Sequence, residues 1–351
     1  MSDPRPADHL PANHPPVKPP KIGVLLANLG TPDGYDYWPV RRYLSEFLSD
    51  KRVVDVPDWK WQPILQMFIL SFRPRKSGAN YKKIWNHAAN ESPLLTITKA
   101  QTAALARALG ELHGDTVMVD FCMRYGNPST AGKVKALVEA GCNKILFFPL
   151  YPQFAGATTA TANDAFFAAL KPILRPPSVR TVPEYFEHPA YVAALAASVR
   201  RAWDAAAVKP EKLIASYHGM PLRYLMQGDA YHCQCQKTTR LLREALGWDK
   251  SAVDTTFQSI FGREEWLKPY TVNHVADLAR QGIKRIAVIS PAFSADCIET
   301  LEEIDGEIRE AFLHAGGEAF TYIPCLNDEP AHIGALMQVI DENLAGWLPA
   351  V

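Results

Sequence analysis

"LLANLGTP" (residues 25–32) returns in altered form as "LIASYHGMP" (residues 213–221), a run of apolar and small residues ending in a loop built on glycine and proline. A second pair echoes in the same order, "GCNKILFFPLYPQFA" (141–155) and "GIKRIAVISPAFSA" (282–295). Each run is short, apolar and bounded by turn-forming residues, the pattern of a buried strand. With similar runs in each half, strands are predicted over 22–29, 116–121, 144–150, 179–185, 212–217, 253–259, 285–291 and 319–324. The stretches between them are rich in Ala, Leu and Arg at helical period, so strands and helices alternate as in βαβ units on a parallel sheet. The chain is therefore read as α/β, with two similar Rossmann-like, doubly wound lobes whose parallel sheets face one inter-lobe cleft. The first lobe is expected over 21–178 and the second over 179–330, with a carboxyl-terminal helix over 331–351 packing back on the first lobe.

The bulk composition agrees with a globular chain and narrows its partners. At 351 residues and 48% hydrophobic composition there is ample material for a core. Lys plus Arg and Asp plus Glu balance at 37 each, so the chain lacks the basic field that supplies non-specific nucleic-acid affinity, and no nucleic-acid partner is expected. Residues 1–20 hold seven prolines and few apolar side chains, which reads as a disordered tail rather than a secretory signal. Six cysteines spread over a long chain without such a signal point to reduced thiols and a cytoplasmic protein. Residues 59–76, "WKWQPILQMFILSFRPRK", concentrate large apolar side chains ahead of Arg73, Arg75 and Lys76. Either they form a core helix or they make an exposed apolar lip that touches the cytoplasmic face of the inner membrane from the periphery.

Ligands of open parallel sheets sit beyond the carboxyl ends of the strands. His218 lies in such a strand-end loop of the second lobe, where the corresponding loop of the first lobe has no histidine. In "SPAFSADCIETLEEIDGEI" (290–308), another strand end leads into a helix on which Glu299, Glu303 and Glu307 recur every four residues along one face. A plain acidic surface is the ordinary explanation of such a row. Starting at the cleft that should hold His218, it can instead receive a divalent metal, accept protons and pass them outward.

These stretches, with "MRYGNP" (123–128), "YPQFAGATT" (151–159), "GDAYHCQCQKT" (228–238), "FQSIFGREEWLKP" (257–269) and "IPCLND" (323–328), resemble the ferrochelatases, which insert ferrous iron into a porphyrin. The resemblance runs over nearly the whole chain from Lys21. It implies a chelatase-type pair of lobes around a porphyrin cleft, with His218 and Glu299 as paired catalytic residues and metal ligands and Asp296 as a supporting catalytic carboxylate. Glu303 and Glu307 are expected to relay protons or metal. For the porphyrin it implies Arg124 and Tyr125 beside the macrocycle, Trp266 and Phe293 as aromatic walls, and Thr158 and Thr159, behind Gly156 at a helix start, as a propionate site.

Three departures refine the expectation. Cys297 stands where some members have a histidine two residues before the catalytic glutamate. Gly156 occupies the position of a cluster cysteine in the animal enzymes, and their cysteine-rich tail is missing, so no iron–sulfur cluster and no permanently bound cofactor are expected, with Fe2+ serving as substrate. Asp33 follows Pro32 where the coproporphyrin-specific branch has a tyrosine, which favours protoporphyrin IX as the partner substrate over coproporphyrin. Cys233 and Cys235 supply two thiols, too few to close a four-ligand site. A non-catalytic haem- or metal-binding protein is the competing reading, and turnover separates the two.

Overall fold

In the computed structural model, which describes residue 13 and residues 18–262 and 264–348, the eight expected strands all form. They are β1 (Lys21–Thr31), β2 (Val117–Gly126), β3 (Cys142–Pro149), β4 (Ser178–Thr181), β5 (Lys212–His218), β6 (Val253–Gln258), β7 (Arg285–Ile289) and β8 (Ala319–Ile323). The first four make one sheet in the order β2-β1-β3-β4, and the second four make another in the order β6-β5-β7-β8. Every pairing is parallel, and the two orders are the same when counted within each lobe. The expected amino-terminal tail lies outside the described residues, apart from residue 13 and Lys18 to Pro20.

The helices are α1 (Tyr37–Ser49), α2 (Asp58–Ile64), α3 (Leu70–Ile84), α4 (Pro93–His113), α5 (Thr130–Glu139), α6 (Thr161–Leu170), α7 (Pro189–Ala205), α8 (Leu222–Met226), α9 (Tyr231–Leu246), α10 (Thr271–Arg280), α11 (Arg309–His314) and α12 (Pro330–Leu344). They cover both faces of the sheets, which is why β1, β3, β5 and β7 are apolar almost throughout instead of alternating. On one face Leu25, Ala27 and Phe147 pack with α5 and α6; on the other, Val24, Leu26, Leu213, Ala215, Ala287 and Ile289 share one core that joins the two sheets. Ile214, Ile286 and Val288 pack on the outer face of the second sheet, with Phe312 and Phe320.

Two details adjust the expected domain map. Lys144 to Phe147 of β3 pair in register with Ser178 to Thr181 of β4, so the first sheet runs past residue 178 and the change of sheet comes after Thr181. At the far end α12 packs on α4 and α7. Arg180 of β4 donates to the carbonyls of Asn343 (2.7 Å) and Ala345 (2.9 Å), and its guanidinium lies over the Trp347 ring, so the end of the chain is fastened to the first lobe's edge strand.

The apolar stretch 59–76 is one irregular helical run made of α2, a π-helical turn at Leu65–Ile69 and α3. Pro63 and Pro74 each remove a backbone donor, and the ladder widens between them. Leu65 and Leu70 turn inward onto Val40, Leu44 and Leu48 of α1, and the Trp61 indole N–H donates to the Leu48 carbonyl (2.6 Å). Trp59 (75% exposed), Met67 (62%), Phe68 (61%) and Phe72 (72%) face outward, and Trp38 of α1 is also exposed. Both expectations for the segment are therefore met in part: one side is core, and the other is an open apolar surface.

Candidate functional site

In each sheet the chain winds outward from the first strand to one neighbour, then returns to pair on its other side. The strand order therefore reverses beside β1 in one lobe and beside β5 in the other, the position at which open α/β sheets bind their ligands. His218 is the last residue of β5, and the loop that leads to Glu299 leaves β7, the neighbour on the returning side.

The turn after His218 requires glycine. A Cβ on Gly219 would meet the Gln258 carbonyl oxygen at 2.5 Å and the Trp266 ring at 3.2 Å. Close approach lets the Gly219 N–H donate to that carbonyl (2.7 Å) and holds the loop on β6. His218 Nδ1 lies 2.7 Å from the Gly219 carbonyl oxygen. A carbonyl can only accept, so in the neutral ring Nδ1 carries the hydrogen and Nε2 keeps a free lone pair.

Opposite stands the acidic row, on a π-helical segment over Glu299–Ile308 that continues into α11. Glu299 and Glu303 are half-buried and Glu307 is exposed, so the row passes from the interior to solvent. Burial pushes the Glu303 carboxyl above its ordinary range, and the Glu299 charge adds to this. Hydrogen bonds from the Ser259 hydroxyl and N–H act the other way, as does the electrostatic influence of the His218 imidazole. Glu303 is thus electrostatically tied to His218 itself. Glu299 in turn faces the first lobe: after burial, its charge is among the causes that raise the Tyr43 and Tyr81 phenols.

Asp296 stands in the loop before Glu299, the place expected of a supporting carboxylate. It is buried, and its carboxylate accepts from Asn327 Nδ2 (2.7 Å), the Cys325 N–H (3.1 Å), Thr300 Oγ1 (3.2 Å) and the Tyr322 hydroxyl. With its lone pairs occupied in this way, Asp296 pins the loop before the π-helix to the end of β8 and so sets the position of Glu299. Cys297 is buried beside it.

The expected porphyrin contacts divide. Trp266 is nine-tenths buried, lies over Gly219, and has an indole N–H without a partner among the described residues. Phe293 is half-buried against Leu94, Ala295 and Cys297, next to the loop that bears Glu299. Tyr125, by contrast, is fully buried, and its hydroxyl donates to Asp50 Oδ2 (2.9 Å). Arg124 is engaged as well, with its guanidinium on Asp50 and on Thr161 Oγ1 (2.7 Å). Burial alone would raise the Asp50 carboxyl, but bonds from Thr161, the Arg52 N–H and Tyr125, with the Arg124 charge, hold it below its ordinary range. Arg124 opens on a hollow of about 550 Å3 lined also by Arg41, Arg42 and Glu46, which shares no residue with the His218 group. These two residues are bound to Asp50 and Thr161 within the first lobe.

Thr158 and Thr159 lie in a short π-helical turn, Gly156–Ala160, that opens α6. The Gly156 N–H there donates to Asp229 Oδ2 (2.9 Å), from the loop after α8 in the second lobe, and Thr158 Oγ1 lies 3.4 Å from the Ala155 carbonyl oxygen. Thr159 is buried with a hydroxyl that has no partner among the described residues.

Gln258 and Ser259, which the sequence did not single out, bind the acidic row, and Arg73, read there only as one of a basic group, packs on the loop that follows them. Burial lowers the Arg73 guanidinium, which lies over the Phe261 ring at 4.8 Å in the loop after β6 and has no acidic partner among the described residues. Arg75 and Lys76 point to solvent. In sequence Arg73 belonged to one basic group with these two, and nothing in their spacing separates the inward cation from the outward ones. Among the described residues no three His, Cys, Asp or Glu side chains stand ready to hold a metal ion by themselves. No helix there is long and apolar enough to cross a membrane.

The family model for ferrochelatase matches residues 21–344. A ferrochelatase of Rhodobacter capsulatus is 64% identical over 341 residues, covering 97% of both chains. One of Agrobacterium fabrum is 55% identical over 339 residues, covering 97% of this chain and 98% of its own. Among solved structures, SirB from Bacillus subtilis with Fe3+ superposes with a TM-score of 0.53 at 12% identity, over 93% of this chain and 97% of that one, a likeness of fold.

Proposed function

The chain belongs to the ferrochelatase family, and from that premise we propose that its cleft binds protoporphyrin IX between the lobes and that His218 is the base that opens the ring to iron. As a ferrochelatase it is a lyase of haem synthesis that inserts ferrous iron into a porphyrin. The reaction balances simply: two pyrrole N–H protons leave, the ring becomes a dianion, and Fe2+ takes their place with no change of oxidation state.

One observation carries the proposal. His218 Nδ1 is committed to the Gly219 carbonyl, which leaves Nε2 as a free base at the strand-order reversal, facing a helix that bears carboxylates. An imidazole with one nitrogen free can accept a proton there and pass it on. Nε2 takes one pyrrole proton, and Glu299 receives iron and the second proton. Glu303 and Glu307 continue the row from that centre to solvent, and Glu307 at its outer end passes protons or metal outward. A planar ring hides its own nitrogens, so the cleft must bend it, drawing on contacts remote from the centre. Trp266 and Phe293 supply apolar area for this, and the free Trp266 N–H supplies a donor.

Arg73 is the proposed counter-charge of a propionate: a desolvated guanidinium without an acidic neighbour gains most from an arriving carboxylate. Thr158 and Thr159, beside the Gly156–Asp229 bond, are proposed to take the other propionate. The outer side of the lip, with Arg75 and Lys76 beside Met67, Phe68 and Phe72, is proposed to rest on an anionic membrane face from which the poorly soluble porphyrin enters. That route favours the two-carboxylate protoporphyrin over the four-carboxylate coproporphyrin. We also propose that the enzyme holds no iron–sulfur cluster. Cys233 is exposed while Cys235 faces the core from the other side of α9, and Cys122, Cys142, Cys297 and Cys325 are buried in separate elements.

The test is an anaerobic insertion assay with Fe2+ and a panel of porphyrins, followed by the absorbance change on metallation. Protoporphyrin IX should show the highest kcat/KM, roughly tenfold or more above coproporphyrin, the factor for burying two extra charged groups incompletely paired. A preference for coproporphyrin would overturn the substrate assignment.

A further inference from the structure

Gln258 ends β6 in register with His218, and Ser259 follows it. The Gln258 side chain is buried, and its amide oxygen accepts from Ser216 Oγ (2.7 Å). Ser216 is itself 2.8 Å from Thr271 Oγ1, which is 2.8 Å from Thr256 Oγ1. This buried hydroxyl chain fixes which way the amide points. Its NH2 group is aimed at the π-helix, where Nε2 donates to the Glu299 carbonyl (2.8 Å) and to Glu303 Oε2 (3.3 Å).

Ser259 has φ +63, a region that side chains other than glycine rarely adopt. The unusual backbone turns two donors onto one carboxylate: the Ser259 N–H reaches Glu303 Oε1 (2.6 Å), and Ser259 Oγ reaches Oε2. Glu303 is therefore held by three donors from a single strand end, in one orientation, beside the imidazole whose charge it feels. An outer relay group that had to swing would be badly served by so tight a hold.

We propose that Ser259 and Gln258 are positioning residues for iron insertion, fixing the Glu303 carboxylate against His218 so that imidazole and carboxylate act as one unit. A preorganised negative charge stabilises the positive charge that develops on the imidazole as the pyrrole proton moves, without reorganisation during the step. Glu303 is then the partner of the base, and the outward relay begins at Glu307. This deepens the assignment of the reaction to His218 and the acidic row, and rests on it.

The test compares Ser259→Gly with Ser259→Ala. Both keep the N–H and delete the hydroxyl, but glycine accepts the positive φ while alanine does not. In both, kcat should fall roughly tenfold or more, the loss of one hydrogen bond to a charged group, with KM for Fe2+ and porphyrin within about twofold. The thermal melt should stay level or rise for Ser259→Gly and fall for Ser259→Ala. Wild-type kcat in Ser259→Gly, or a change confined to KM, overturns the inference. Glu303→Gln and His218→Ala, assayed alongside, separate the two levels: full turnover in both would contradict the site itself, whereas their loss with intact Ser259 variants contradicts the positioning role alone.

Discussion

Glu303 and Glu307 have the same chemistry and the same helix face, yet their surroundings make them different groups. Glu303 is held by Ser259 and Gln258 and raised by burial, while Glu307 is in solvent. A carboxyl whose folded pKa lies above its unfolded value favours the folded state below the unfolded pKa, and that stability is lost as pH rises through the folded pKa. At neutral pH an ionised Glu303 is accordingly a burden on the fold, to which like charges four residues apart add a few tenths of a kcal/mol per pair. Glu303→Gln should leave the melting temperature level or raise it by roughly one to three degrees near pH 7.5, with the gain shrinking below about pH 5. It should also lower turnover at least tenfold if it serves the base as proposed. Glu307→Gln should leave the melt level and lower turnover by no more than about twofold, because solvent reaches this outer relay group and can replace it. Melts at the two pH values with matched kinetics check this, and equal, wild-type behaviour of both variants would reduce the row to a solvated face. The spacing of the row was legible in the sequence. Its environment was not, because Ser259 and Gln258 arrive from another strand, and neither residue type announces a role when read in its own run. Asp296 shows the converse. Its place in the loop before Glu299 was readable, but the donors from Tyr322, Cys325 and Asn327 that turn it into a pin come from the next strand.

The lip shows what apolar composition alone can and cannot decide. A helix that is apolar nearly all round reads equally well as core or as contact surface. Here α1 takes only one side of it, through Leu65, Leu70 and Trp61, and leaves Met67, Phe68 and Phe72 open. Replacing these three by Ser or Gln should lower binding to vesicles containing anionic lipid several-fold while leaving the melt within about two degrees, since each deleted side chain forfeits membrane burial but little packing. Leu65→Ala, at a site with no exposure, should instead cost about 2–5 kcal/mol of stability. Vesicle co-sedimentation with thermal melts distinguishes the two sides, and unchanged vesicle binding in the triple variant would remove the membrane from the account. Arg73 belongs to the same element but not to the same surface, for its guanidinium lies over the Phe261 ring in the loop after β6.

At the scale of the molecule, the internal echo was the strongest signal in the chain. The quoted strands became β1 and β5, and β3 and β7, in two sheets of the same order, so the strand-end position of His218 could be foreseen. What the echo could not supply was the far edge of each sheet. β4 is only Ser178–Thr181, too short to show a period, and its pairing with β3 is what moves the lobe boundary beyond 178. Nor could it show how the lobes meet. Asp229 on Gly156, Gln234 Oε1 accepting from the Phe154 N–H (2.6 Å) and Gln153 Nε2 donating to Thr238 Oγ1 (3.0 Å) tie the loop after β3 to the second lobe. Tyr125 lies in the core because α1 folds over it. The strand ends of the second sheet nevertheless keep the arrangement that matters, a free imidazole nitrogen on β5 and the carboxylates of the π-helix that follows β7. The most direct measurement is anaerobic Fe2+ insertion by His218→Ala, with porphyrin affinity measured on the same protein by fluorescence. Turnover should fall at least ~100-fold, the contribution of a positioned base, while porphyrin affinity stays within a few-fold and the melt is unchanged. A folded His218→Ala variant that inserts iron at close to the wild-type rate would contradict the account.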